Sequence, residues 1–141
     1  MSYHDTRQAL VTQLLAASIP NITVEDIAIE NDTFDPKGKD LWLAFYFIPA
    51  TDDILGKSPG SSNEQKGIFQ VSVFVALNSG SYDLIQLQTI DAILSAFQFN
   101  SSTVYNSQKV DILESTVNNG VENDSWFKRD ISISYMTFSD R

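Results

Sequence analysis

Between residues 67 and 77 the chain alternates without a break, with Phe69, Val71, Val73 and Val75 on one side and Ile68, Gln70, Ser72 and Phe74 on the other. A period of two held over this length is a β-strand, since successive side chains of an extended backbone point to opposite faces. Such a strand needs neighbours, and the sequence supplies them. Residues 41–48 (Leu-Trp-Leu-Ala-Phe-Tyr-Phe-Ile) form the most apolar run, dense in aromatics and stopped by Pro49, which predicts a strand buried on both faces. Ile27 and Ile29 alternate as a short strand, and further strands are expected at 103–105 and 110–117. From 126 to 138, Ile131, Ile133 and Tyr135 alternate with Ser132, Ser134 and Met136. Asn118-Asn119-Gly120 carries the composition of a turn between the last two of these strands.

Two segments have helical spacing instead. Tyr3, Leu10, Leu14 and Ala17 fall on one face of an N-terminal helix, widened by Val11 and Leu15, with Ser2 and Asp5 as a capping pair and Pro20 as its end. A second helix is expected from Tyr82 to Phe97, capped by Ser81, with Leu87, Ile90, Leu94 and Phe97 along its buried face. The order is helix, three strands, helix, three strands, without a βαβ rhythm. That is an α+β chain, two helices packed on one mostly antiparallel (mixed) sheet, expected as a single domain over residues 1–141. The polar stretch between the two strongest strands, residues 50–66, reads as a long flexible loop carrying Asp52, Asp53, Lys57, Glu64 and Lys66.

Composition narrows the chemistry. There is no cysteine, which removes disulfides, thiolate metal sites and a cysteine nucleophile together. The first residues lack the pattern of a signal peptide and no apolar run is long enough to span a bilayer, so a soluble, intracellular protein is expected. The formal charge of −9 is spread along the chain and opposes affinity for nucleic acid by counterion release. Solubility is the simpler reading of that charge, and a surface past which DNA slides without sticking is the sharper one.

Catalytic and metal-binding patterns fail one by one. The single histidine, His4, sits in the first helical turn, where a solvated side chain is the default, and a histidine-based zinc site fails on count. The segment 51–58 ends in Gly-Lys-Ser after a strand, but Thr51 replaces the first glycine of a phosphate-binding loop, and Pro59-Gly60 blocks the helix that should follow. Asp32 with Asp35 and Glu122 with Asp124 are acid pairs without the ligand spacing of a calcium loop. The four Asn-x-Ser/Thr matches, at Asn21, Asn31, Asn100 and Asn123, are idle without a secretory route. What survives is the 50–66 segment and an excess of aromatics (Trp42, Phe45, Tyr46, Phe47, Trp126, Phe127), mostly core and in part contact anchors.

A helix, a strand ending in Pro-Ala at 49–50, a long variable loop, the strand Lys-Gly-Ile-Phe-Gln-Val-Ser-Val-Phe-Val at 66–75, a helix with Ile-Asp-Ala-Ile-Leu-Ser-Ala-Phe at 90–97, then Trp126 and the alternating strand 129–138 follow in that order. This arrangement is similar to the tail terminator (tail completion) proteins of long-tailed phages over nearly the whole length, thinning between 99 and 123. The resemblance implies a virion structural protein, made in the host cytoplasm, with no cofactor and no reaction. It implies a homo-oligomeric ring, typically a hexamer, at the head-proximal end of the tail. The ring stops polymerisation of the tail tube protein and meets the connector or stopper, while DNA passes through its lumen unbound. The alternatives are a head-completion or tail-tube subunit, which would be another structural part, or a small acidic ligand-binding domain using a carboxylate pair such as Asp32 and Asp35. The interface is expected at Asp52, Asp53, Lys57, Glu64 and Lys66.

Overall fold

A computed structural model describes residues 3–20, 22–30, 33–36, 38–54, 62–77, 82–123 and 125–140. Helix α1 (Tyr3–Ala16) is followed by a 3₁₀ turn at Val24–Asp26 and by strands β1 (Ile27–Ala28), β2 (Leu41–Ile54) and β3 (Ser62–Ala76). Helix α2 (Tyr82–Ala96) leads to β4 (Ser102–Tyr105), β5 (Gln108–Val117), β6 (Val121–Asn123) and β7 (Trp126–Asp140). They form one sheet in the order β1-β2-β3-β7-β5-β4, with β6 also paired to β7. β1 runs parallel to β2 and every other pairing is antiparallel, so the fold is the α+β arrangement with a mixed sheet that the patterning predicts.

One face of the sheet is dry. Leu43 and Phe45 of β2, Phe69, Val71 and Val73 of β3 and Ile131 and Ile133 of β7 point to it, every second residue as the pleat requires. Leu10 and Leu14 of α1 and Ile90, Ile93 and Phe97 of α2 close over them. The buried face of α2 is not the expected one. Gln86 and Thr89 are inside with Ile90, Ile93 and Phe97, while Leu84 and Leu87 are exposed. Gln86 decides the rotation. Its amide nitrogen donates to the Val73 carbonyl at 2.9 Å and to the Phe127 carbonyl at 3.1 Å, and its oxygen accepts from Arg129 Nε at 3.1 Å. A fully satisfied amide is as much at home under a helix as a leucine.

Three further expectations change. β2 is buried on both faces only over Leu41–Phe45, and Tyr46 and Ile48 are exposed. It does not stop at Pro49. Beyond Ala44, where β1 ends, β2 is the outer strand, and a register shift falls between Pro49 and Thr51. An edge and a bulge are the two settings in which a strand accepts proline. The pair Asn118-Asn119 and Gly120 does not reverse the chain either. β5 and β6 lie on the same side of β7, ending opposite Ile131 and starting opposite Lys128, so these residues interrupt one continuous edge. A Cβ on Gly120 would meet the Phe127 ring at 1.9 Å, which explains the glycine by packing. The helix caps expected at Ser2 and Ser81 lie outside the described residues.

The opposite face of the sheet carries a second, small cluster. Trp42 stacks on Phe74 with ring centroids 3.9 Å apart and planes 3° from parallel, and Phe34 and the edge of Trp126 complete it. The remainder of that face is uncovered.

Candidate assembly surface

The residues predicted to form an interface lie on an extension of the sheet rather than on a loop. Thr51 pairs with Lys66, Asp52 with Gln65, Asp53 with Glu64 and Ile54 with Asn63, which makes most of the expected loop a continuation of the β2–β3 hairpin. β7 pairs with the same stretch from the other side, up to Ser62 opposite Asp140. The backbone of 62–66 is therefore bonded to two neighbours. Pairing on both sides overrides the low strand propensity of Ser, Asn, Glu and Lys, the usual fate of weak local preferences in a sheet. The result is a three-stranded arm.

Asp52, Asp53, Glu64 and Lys66 are brought together on this arm, and Lys57 lies outside the described residues. Asp53 and Glu64 are directly opposite, an arrangement of like charges that destabilises a strand pair. Lys66 Nζ relieves it, 3.2 Å from Glu64 Oε1. Asp52 faces the other side and accepts a long hydrogen bond, 3.4 Å, from Gln65 Nε2. That side holds a buried polar layer in which Gln108 donates to Thr137 Oγ1 and to the Phe138 carbonyl, and Thr137 donates to the Lys109 carbonyl. Where the arm joins the body, Gly67 sits opposite Tyr135. A Cβ on Gly67 would lie 2.6 Å from the Tyr135 hydroxyl and 2.5 Å from the Ile48 carbonyl oxygen, so only glycine lets the ring lie over the strand. Burial pushes the Tyr135 phenol well above its ordinary range.

Two features of this region escape the sequence reading. The first is apolar exposure: Tyr46, Ile48 and Phe138 stand on the uncovered face, 38%, 43% and 43% exposed, beside the Lys66–Glu64 pair. Neighbouring exposed apolar residues rimmed by charge mark contact surfaces more often than isolated ones do. The second is the outer edge of β2. Among the described residues no strand pairs with it beyond Ala44, although Glu30 Oε1 accepts the Phe47 N–H at 3.0 Å. An open edge is a template for a further strand. The signal available in the sequence was Pro49, read there as a stop.

The discarded carboxylate pairs stay discarded for want of geometry. Asp35 is exposed, Asp32 and Asp124 lie outside the described residues, and Glu122 is exposed on β6. Asp26 is held below the ordinary carboxylate range. Burial opposes its ionisation, but the Lys39 ammonium at 2.8 Å and the Thr23 N–H and hydroxyl at 3.0 and 3.2 Å outweigh that. Those bonds tie the 3₁₀ turn to residue 39, a structural task. Among the described residues no group of three or more His, Cys, Asp or Glu side chains could hold a metal ion, and no helix is long and apolar enough to cross a membrane. His4 is exposed, 3.2 Å from Asp5.

The family model described as phage tail terminator protein matches residues 6–135, from the first turns of α1 to Tyr135. The chain belongs to the phage tail terminator family. It is a structural protein of the phage tail and virion, in a family without enzymatic members implied. No curated protein matches it. Two solved structures share the terminator fold described above. One, whose title gives only a sequence identifier, superimposes with a TM-score of 0.71 at 22% identity over 97% of this chain and 96% of that one. The other, titled a virion of a native gene transfer agent particle, has a TM-score of 0.60 at 13% identity over 98% of this chain and 100% of that one.

Proposed function

We propose that this chain is the terminator subunit itself: copies assemble head to tail into a closed ring, probably-sized for six in the family's usual manner, that sits on the head-proximal end of the finished tail tube. The ring stops addition of tube subunits and presents its far side to the connector or stopper, and DNA passes through the lumen. The observation that carries the reading is the family match over residues 6–135, which spans every element up to Tyr135 of β7. The arm gives it a physical basis. A head-to-tail ring needs two different, complementary patches on each subunit. An open β2 edge next to exposed Tyr46 and Ile48 is one surface that a neighbour or the tube can extend by strand addition. The arm residues Asp52, Asp53, Glu64 and Lys66, with Lys57, are assigned to that contact. The net charge of −9 suits a channel for DNA, since a surface that binds few phosphates lets the duplex slide.

The test is to add the purified chain to growing tail tubes and measure tube length by electron microscopy. Growth halts with the intact chain and continues with a variant lacking residues 52–64, whose helix-covered core is intact by circular dichroism. Tubes that grow unchecked in the presence of the intact chain contradict the proposal. Tubes that stop equally with the deletion variant keep the terminator and remove the arm.

A further inference from the structure

Phe99 is 78% exposed, yet the turn that carries it is tightly built. The Ser101 N–H and hydroxyl both donate to the Gln98 carbonyl, at 3.0 and 2.6 Å. The Asn100 N–H donates to the Ile112 carbonyl and the Ile112 N–H to the Ser101 carbonyl, each at 2.9 Å. Asn100 accepts a φ of 64° to complete the turn, a conformation that asparagine tolerates better than most residues. An aromatic ring held in water by a fixed turn is the geometry of an anchor, because little further ordering is needed when it is buried. Val104 of β4, 59% exposed, stands close by in sequence.

A cavity of about 210 Å³ lies on the other flank of α1. Its walls are Val11 and Leu15 of the helix, Val24 and Ile27 at the start of β1, and Phe45 below. Leu15 and Val24 are 45% and 67% exposed. A dry cavity of roughly 150 Å³ already holds a benzene ring, so this one has room for a phenyl group. Arg7 stands at the site with its guanidinium 5.4 Å from the centre of the Phe45 ring and a hydrogen bond to Gln8 Oε1. Among the described residues no carboxylate pairs with it. A guanidinium has two faces, and an aromatic ring entering the cavity would stack on the one that Phe45 leaves open.

The two features sit at opposite ends of the strand order, Phe99 beside β4 and β5 and the cavity beside β1, with α1 between them. Charge also matches. Residues 98–104 contain no basic side chain, and Asp111, the register partner of Ser102, and Glu114 lie next to that turn on β5. Resting on the ring reading, we infer that the subunit contact is made by Phe99 of one copy entering the cavity beside Arg7 of the next. The contact is heterologous, one knob and one socket per chain on different flanks, which is the form that closes into a ring.

The absence of native cysteine makes the test clean. A Phe99→Cys, Val24→Cys double variant, mixed with tail tubes and oxidised, gives a ladder of cross-linked species ending at the ring's subunit number, whereas either single variant gives none beyond a dimer. Phe99→Ala and Val24→Asp, both at exposed positions, remain folded by circular dichroism and associate roughly 10- to 100-fold more weakly, the range expected for withdrawing one aromatic anchor. Unmodified chains that form rings while both substitutions form them equally well and the cysteine pair stays unlinked overturn the contact alone. Rings that form from Phe99→Ala but no longer seat on tubes overturn it too, assigning Phe99 to the tube. Unmodified chains that form no ring with tubes overturn the ring reading and the contact with it.

Discussion

Single residues explain where this chain departs from its apparent pattern. Gly67 follows a lysine and opens the most regular strand of the sequence, and its place under the Tyr135 ring gives it a reason that alternation alone does not. Asp26 shows the same economy on the surface, where one carboxylate accepts bonds from Lys39 and from both donors of Thr23. Its folded-state ionisation lies below the ordinary value of 3.8, because those bonds outweigh the opposing burial. A carboxylate held low contributes stability in full above its unfolded value, and that contribution is lost as pH falls through the folded one. Asp26→Asn is therefore expected to lower stability near neutral pH and to remove part of the loss seen below pH 3.8. Urea unfolding of both proteins across that window checks it, and parallel curves of stability against pH would contradict it.

At the scale of elements, the legible parts were those in which apolar spacing and burial agree. β3 and β7 could be read from the alternation of Phe69, Val71 and Val73 and of Ile131, Ile133 and Tyr135, because both strands lie inside the sheet with one face under the helices. The arm was not legible. Asn63, Glu64, Gln65 and Lys66 carry no strand signal of their own and are extended because β2 and β7 pair with them. Of the predicted interface residues, four of the five fall on that arm, so the sequence located the region and misjudged its backbone. α2 failed for the opposite reason. It is apolar on several sides, and the choice of face belongs to Gln86, whose bonds to Val73, Phe127 and Arg129 lie far away in the chain. Gln86→Ala leaves those buried groups without partners and is expected to cost about 2–4 kcal/mol. Chemical denaturation measures that loss, and a change under about 0.5 kcal/mol, as for an ordinary surface substitution, would refute the role given to Gln86.

The molecule as a whole has a polar, acidic exterior, a core closed by two helices, and apolar groups left outside on three separate places: the arm, the Phe99 turn and the cavity beside Arg7. A chain that keeps its core dry has no internal use for them, and a ring on a tube gives each one a neighbour. The family match tells what kind of protein this is, and the surfaces indicate how one copy meets the next. The measurement that bears most directly on this account is the mass of the protein by light scattering, alone and with short tail tubes, followed by negative-stain imaging of the mixture. The account predicts a closed ring of fixed subunit number seated at one end of each tube. A chain that stays monomeric and leaves both tube ends bare would contradict it.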